Sequence, residues 1–515
     1  MTNFDLSLHI FEFFRQAGIT QVVVCAGARN APLVEALNKQ NLKVFSFFEE
    51  RSAAFFAIGL IKAYSRPVAV MTTSGTAAAE LLPACVEAFY QGLPLVLVTA
   101  DRPKKYRNTG SPQTINQVGL FKNFVENEYD FDCDSRDFTF NWGYQKPIHL
   151  NVSFDEPLID NATLIAPPFV RILKTSFEQK KSSLKFTGLR PMIILGEIEE
   201  SQHEKVIEFL LAIRAPIYAE SLSGLRYRAS LEPFALQSSD KFVKEMFRQE
   251  FCDSIIRIGG VPTLRFWRDL EKEFSDVPVL NYTNLSFSGL SRDSVCVEIK
   301  EMKATQEFPP EILSLIKKMD SKLQLQKQDL FKKYPESEQS FIHNLSKYVG
   351  PDPIYLGNSL PIRHWDQFTL GESRGVYANR GANGIDGQIS TYLGWSQNKT
   401  QSYALIGDLT AMYDMAGLGL ATQLNEQKRN LIILNNFGGQ IFKRVFESPH
   451  FINSHKTHFI HLAKMWNWSY LFISSSSEMD KLTKFNTSHV MIEIVPDASQ
   501  TEAFWKDWDE ACEMA

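Results

Sequence analysis

Two short polar stretches late in the chain, Gly407-Asp408-Leu409-Thr410 and Asn435-Asn436-Phe437-Gly438-Gly439, carry the residue types that a phosphate-bound cation needs. They end two apolar runs that read as strands, 403–406 and 430–434, with a helix expected between them at 411–424. Two parallel strands joined by one such crossover can be sheet neighbours, so Asp408 and Asn436 can meet. A carboxylate and an amide oxygen suit a hard ion such as Mg2+, which takes oxygen ligands and keeps phosphate in its shell. The Gly407 turn would offer N–H groups to that phosphate. Either stretch alone is ordinary turn chemistry; both together, at consecutive strand ends, point to a metal–diphosphate site.

A second constellation, Glu49-Glu50-Arg51-Ser52, closes an apolar run at 44–48 and opens an apolar helix at 53–64. Acids there oppose the helix dipole. In an apolar setting such a carboxyl also holds its proton more tightly, which suits proton sharing. A third set is a series of arginines beside strand ends: Arg29 after Gly27-Ala28, Arg102 after Asp101, Arg265 after Gly259-Gly260, Arg363 after Gly357-Asn358-Ser359, and Arg380 before Gly381. One such arginine is usually a solvated charge. The series suits carboxylates, which guanidinium binds bidentately. His450, His455, His458 and His461 lack a carboxylate or cysteine to complete a ligand set, and read as a polar loop entering a helix at 459–466.

These residues need a repeated scaffold to position them. Strands expected at 21–25, 44–48, 68–71 and 94–98 alternate with helices at 53–64 and 77–90. The rhythm restarts at 191–195, 215–218 and 254–258, and again at 353–356. A Lys- and Ser-rich segment at 174–185 reads as a linker, and 313–334 as a connecting helix. The prediction is α/β: three open parallel-sheet domains at 1–173, 187–312 and 336–515, with ligands at the carboxyl ends of strands. The chain's 515 residues, 44% hydrophobic and 22% charged, fit three domains and exclude a disordered chain. A net charge of −5 with no basic block argues against nucleic acid and anionic lipid. Six cysteines without a CxxC pair suit a reducing compartment. No signal peptide is read at the start, and no apolar run approaches the ~20 residues that span a bilayer. The expected setting is cytoplasmic, without membrane insertion. No Gly-x-Gly-x-x-Gly follows the first strand, which ranks a nicotinamide enzyme low.

The Gly407-Asp408 and Asn435-Asn436 pair resembles the signature of thiamine-diphosphate enzymes, with Leu409 where a third glycine is usual. Taken with Gly27-Ala28-Arg29, Glu50-Arg51, Thr73-Ser74-Gly75, Asp101-Arg102-Pro103, the Gln113-Thr114-Ile115-Asn116-Gln117 run, Ser359 to Arg363, and Asn379-Arg380-Gly381, the chain resembles the menaquinone-pathway branch of that family. The likeness is strong in the first and last thirds and weak in the middle. It implies decarboxylation of 2-oxoglutarate and 1,4-addition of the four-carbon fragment to isochorismate, with thiamine diphosphate and Mg2+ (or Mn2+) as cofactors. By motif match, Glu50 rather than Glu49 activates the cofactor, and Asp408, Asn436 and the Gly438 carbonyl hold the metal. Gly407, Leu409 and Thr410 line the cofactor, and Ile385 is the apolar wedge beneath it. Arg29, Arg102, Gln113, Arg265, Ser359, Arg363 and Arg380 hold substrate, with Ile441 and Phe442 forming part of the isochorismate wall. Ala28 replaces a serine of the family pattern, and Phe266 stands where a second base can occur. The resemblance also implies a homodimer or homotetramer with active sites at the subunit interface. The rival readings are another thiamine-dependent 2-oxo acid carboligase of the acetolactate synthase kind, and a non-catalytic α/β binding protein.

Overall fold

The structure, a computed structural model, describes residues 1–160, 168–175, 185–304, 307–369, 375–424, 426–484 and 487–513. The first 173 residues contribute β1 (Gln21–Val24), β2 (Lys43–Ser46), β3 (Val68–Thr72), β4 (Leu95–Asp101), β5 (Glu128–Phe131), β6 (Thr139–Asn141), β7 (Ile148–Ser153) and β8 (Arg171–Leu173). Six of them form one sheet in the order β2-β1-β3-β4-β7-β5, while β6 and β8 pair separately. A second sheet takes β9 (Pro191–Leu195), β10 (Ile217–Ala219), β11 (Ser254–Ile258), β12 (Val279–Tyr282) and β13 (Val295–Val297) in the order β10-β9-β11-β12-β13. The third takes β14 (Ile354–Leu356), β15 (Val376–Tyr377), β16 (Gln401–Gly407), β17 (Lys428–Leu434), β18 (Ser469–Ile473) and β19 (His489–Ile494) in the order β15-β14-β16-β17-β19-β18. All the pairings are parallel.

Parallel strands covered on both faces must be apolar throughout, and β1, β3, β4, β9 and β11 are buried at every position. Each sheet starts the same way, with its first strand between its second and its third. Strand order therefore reverses beside β1, β9 and β14, the places where such a topology offers a crevice at the carboxyl edge.

Several sequence expectations shift. The helix expected at 53–64 starts earlier, as Glu50–Tyr64, because the Glu49 side chain accepts from Arg51 N and Ser52 N and caps it. The helix expected at 77–90 is two, Thr76–Ala79 and Leu82–Gln91, the second having Pro83 in its first turn, where a missing N–H costs nothing. The helix expected at 411–424 begins at Asp408, runs to Tyr413, and tightens into 3₁₀ turns over Met415–Gln423. There Gly417 presses on helix Gln388–Trp395 so closely that a Cβ would collide with Ser390 Oγ. Of the expected linker at 174–185, residues 176–184 lie outside the described residues.

The first and third sheets share one apolar core, which contains Phe56, Tyr392 and Trp395. Helix Glu50–Tyr64 crosses Gln388–Trp395 at Gly59 and Gly394, and a Cβ on either would run into the other helix's backbone. Polar ties flank the crossing. Ser52 Oγ donates to Asp414 Oδ1 at 3.1 Å, and the buried Glu87 accepts from Gly381 N at 2.8 Å and Ala382 N at 2.6 Å. The connecting helix Pro310–Lys333 joins the second and third sheets through buried Lys327, which donates to Gln237 O at 2.8 Å and Gln367 O at 2.7 Å. Among the described residues no helix is long and apolar enough to cross a membrane.

Candidate active site

The crevice between β14 and β16 collects most of the residues singled out in the last third. Gly407 ends β16 with an ordinary extended backbone, and the nearest atom to a Cβ placed there would be Thr410 Oγ1 at 3.9 Å. The turn is thus open on the side that a diphosphate would approach. Asp408, next in the chain, is buried. Its Oδ1 accepts from Leu409 N at 2.6 Å and its Oδ2 from Gly438 N at 2.9 Å, so the two strand ends do converge. Burial pushes its carboxyl up, while these N–H groups and His455 draw it down. Gly438 has φ +142°, and a Cβ there would collide with Ile452 O, so only glycine fits.

Asn436 lies beside this turn with its amide committed: Nδ2 donates to Glu338 Oε2 at 3.1 Å. The donor set fits a hard cation. Among the described residues, Asp408 retains lone pairs on both carboxylate oxygens, Asn436 retains Oδ1, and the Gly438 carbonyl accepts one bond, from Gln440 N at 2.9 Å.

The histidine segment is a loop that enters helix Ile460–Met465, as expected, but two of its histidines have carboxylate neighbours. His455 Nε2 lies 3.1 Å from Asp408 Oδ2, an ion-pair distance without hydrogen-bond geometry, and His458 Nδ1 lies 2.7 Å from Glu493 Oε1. The segment folds back because Gly439 N bonds Ile452 O and Asn435 Nδ2 bonds Thr457 O at 2.9 Å. His455 is therefore a neighbour of the candidate metal site that sequence reasoning missed. Its only signal was position, shortly after the Asn-Gly turn. Among the described residues no group of three or more His, Cys, Asp or Glu could hold a metal ion.

The arginines of the third sheet gather close by. Ser359, at φ +75°, starts helix Leu360–Phe368 and accepts on its carbonyl from Arg363 Nη1 at 2.6 Å. Asn358 ties down the loop that carries Ile385. Its Nδ2 donates to Asn379 O at 2.8 Å and Gly384 O at 2.7 Å, and its Oδ1 accepts from Arg380 Nη1 at 2.6 Å. Burial, and for Arg363 the nearby charge of Arg380, lower both guanidinium pKa values. Neither has a carboxylate at ion-pair distance among the described residues, and Arg380 Nε is buried without a partner.

A cavity of about 700 Å³ opens beside Arg363, bordered also by Arg265, Glu338, His364, Asn436, Ile441 and Trp505. A smaller one of about 360 Å³ adjoins, bordered by Arg265, Arg363, Ile441 and Phe442. Arg265 thus reaches the third sheet's site from the second, with a side chain 68% exposed and 3.4 Å from Asp269.

The remaining residues gather at the carboxyl edge of the first sheet. Gly27 packs on Thr73 so that a Cβ would lie 2.6 Å from Thr73 Cβ, and Gly75 packs on the Gln113 backbone. Arg29 Nη1 donates to Phe154 O at 3.1 Å, and Arg102 Nε donates to Pro112 O at 3.0 Å. Glu50 is half-buried at the first position of its helix, while Glu49 is consumed as the cap. Burial, then the charges of Glu49 and Glu80, raise the Glu50 carboxyl, opposed by its own backbone N–H. None of Glu50, Arg29, Arg102 and Gln113 borders either cavity at the third sheet of the same chain.

Residues 4–120 match the family model described as thiamine pyrophosphate enzyme, N-terminal TPP binding domain. Together with three parallel sheets of one winding, this defines the class as a thiamine pyrophosphate enzyme. Among curated relatives, the 2-succinyl-5-enolpyruvyl-6-hydroxy-3-cyclohexene-1-carboxylate synthase of Bdellovibrio bacteriovorus is 42% identical, over 99% of both chains. The synthase of that name from Akkermansia muciniphila is 36% identical over 94% of this chain and 95% of the relative. The one from Staphylococcus aureus is 30% identical over 95% and 94%. The chain belongs to the 2-succinyl-5-enolpyruvyl-6-hydroxy-3-cyclohexene-1-carboxylate synthase family.

Proposed function

We propose that the protein decarboxylates 2-oxoglutarate and adds the resulting four-carbon fragment to isochorismate, releasing CO2, a transferase step of menaquinone biosynthesis. The observation that carries this is the pair Arg363 and Arg380, half-buried and, among the described residues, without a carboxylate at ion-pair distance, with Arg363 bordering the same cavity as Asn436. Two guanidinium groups held in a desolvated cleft repel one another, and a dicarboxylate relieves that cost. Thiamine diphosphate, when bound, supplies the carbanion chemistry. Asp408, Asn436 and the Gly438 carbonyl would hold Mg2+ or Mn2+, and Gly407, Leu409 and Thr410 would face the diphosphate. Glu50, whose raised pKa suits sharing a proton, would hold one at the aminopyrimidine. Arg363, Arg380, Arg265 and Ser359 orient carboxylates, Ile441 and Phe442 exclude water from the apolar side, and Arg29, Arg102 and Gln113 contribute from the first sheet.

In this reading residues 1–173 bind the pyrimidine, 336–515 the diphosphate, and 187–312 lie between. Glu50 borders neither of the cavities at Arg363 within one chain, and the arrangement proposed is a homodimer or dimer of dimers whose partner supplies Glu50. The test is product formation from 2-oxoglutarate, isochorismate, Mg2+ and thiamine diphosphate, with Glu50→Gln as control. CO2 release from pyruvate but not from 2-oxoglutarate would move the protein to the acetolactate synthase kind.

A further inference from the structure

Glu338 is an expensive residue where it stands. It opens helix Glu338–Val349 and is only 2% exposed. Burying a carboxylate is costly unless something compensates. Compensation comes from the helix N-terminus and from Asn436 Nδ2 3.1 Å from Oε2. His364 Nδ1 lies 3.0 Å from Oε1, an ion-pair distance without hydrogen-bond geometry; His364 is itself 1% exposed, and among the described residues neither its ring nitrogens nor Glu338 Oε1 has a hydrogen-bond partner. Glu338, His364 and Asn436 border the same cavity.

An ionised carboxylate only accepts hydrogen bonds. Facing one, a primary amide has a single allowed orientation, N–H2 toward the carboxylate and Oδ1 away. Asn436's backbone carbonyl is also occupied, by Gln440 Nε2 at 3.1 Å. Oδ1 is therefore the oxygen that Asn436 has left to offer. We propose that Glu338 is a positioning residue: by taking Nδ2 of Asn436 it fixes the amide so that Oδ1 is presented to the cation. A glutamine in its place could bond the amide in either orientation and would lose that enforcement. The inference rests on the proposed metal site, and it assigns a role to a residue outside the proposed ligand set.

The test is Mn2+ binding in the presence of thiamine diphosphate, read by electron paramagnetic resonance and by calorimetry, with thermal unfolding as a folding control. Glu338→Gln should fold and weaken Mn2+ by about 10- to 100-fold, as loss of an outer-sphere partner typically does. Glu338→Asp keeps the charge but shortens the reach, and should weaken Mn2+ as well; it serves if Glu338→Gln does not fold. Asn436→Asp alone places two carboxylates together and should bind poorly. Combined with Glu338→Gln, whose amide can donate to the new carboxylate, it should recover at least tenfold, a rescue that a merely structural role would not give. Wild-type affinity in folded Glu338→Gln, or no recovery in the double variant, overturns the inference alone. Absence of bound Mn2+ in the wild-type protein overturns the metal site and the inference together.

Discussion

The second and third sheets are wound alike and end differently. In the second, the crevice beside β9 is shut: Gly196 lies against Gly260 so tightly that a Cβ would collide with its carbonyl, and a Cβ on Gly259 would meet Glu197 O. The loop after β11 already has a carboxyl group of the chain itself, because Glu220 accepts from Thr263 N, Thr263 Oγ1 and Leu264 N. Burial, with Asp366 nearby, pushes that carboxyl up to about 7. In the third sheet the corresponding turn at Gly407 stands open, and the carboxylate beside it, Asp408, belongs to the turn itself. Topology offers a crevice at every switch point; the residues after each strand determine whether the chain fills it or a ligand does.

The sharpest way to break this contrast is Asp408→Ala. It should abolish Mg2+-dependent thiamine diphosphate binding in calorimetry and lower kcat/KM by about 10³-fold or more. Glu50→Gln should lower kcat by about 10²–10⁴-fold while leaving coenzyme affinity near wild type, since only the proton-sharing carboxyl is lost. Arg363→Ala should raise KM for a dicarboxylate by about 10²-fold, as expected for a desolvated charge contact. Exposed Arg265→Ala should cost much less, under about tenfold.

Two glycines then separate filling from opening. Gly196→Ala should destabilise the fold by about 1–3 kcal/mol in denaturant unfolding without changing coenzyme affinity. Gly407→Ala should leave stability within about 0.5 kcal/mol yet weaken the coenzyme. The smallest effect concerns pH. Burial pushes buried Asp414 up to about 6. Its folded form holds the proton more tightly than the unfolded chain, whose carboxyl titrates near 4. Its contribution is therefore full below about pH 4 and is lost as pH rises through about 6. Asp414→Asn should flatten the fall in Tm across that window.

The alternation of strands and helices, and the meeting of Asp408 with the Gly438 turn, were legible in the sequence because apolar runs and turn residues are local signals. Glu49 and Glu50 were separable only by the motif match; in the structure Glu49 caps the helix and burial raises the Glu50 carboxyl. What was not legible depended on long-range packing. His455 reaches Asp408 through a fold-back, and Glu338 and Asn436 are 98 residues apart. The Gly59–Gly394 crossing left only two unremarkable glycines in the text.

The central claim is that one coenzyme is held between Glu50 of one copy and Asp408 of another. Co-expressing Glu50→Gln with Asp408→Ala, each separately inactive, tests it directly. Mixed dimers would then contain one doubly damaged and one intact site, and activity should return to about a quarter of wild type for random pairing of two symmetric subunits. Purified mixed dimers that stay as inactive as either parent would show that both residues serve the same chain, and the shared site would be wrong.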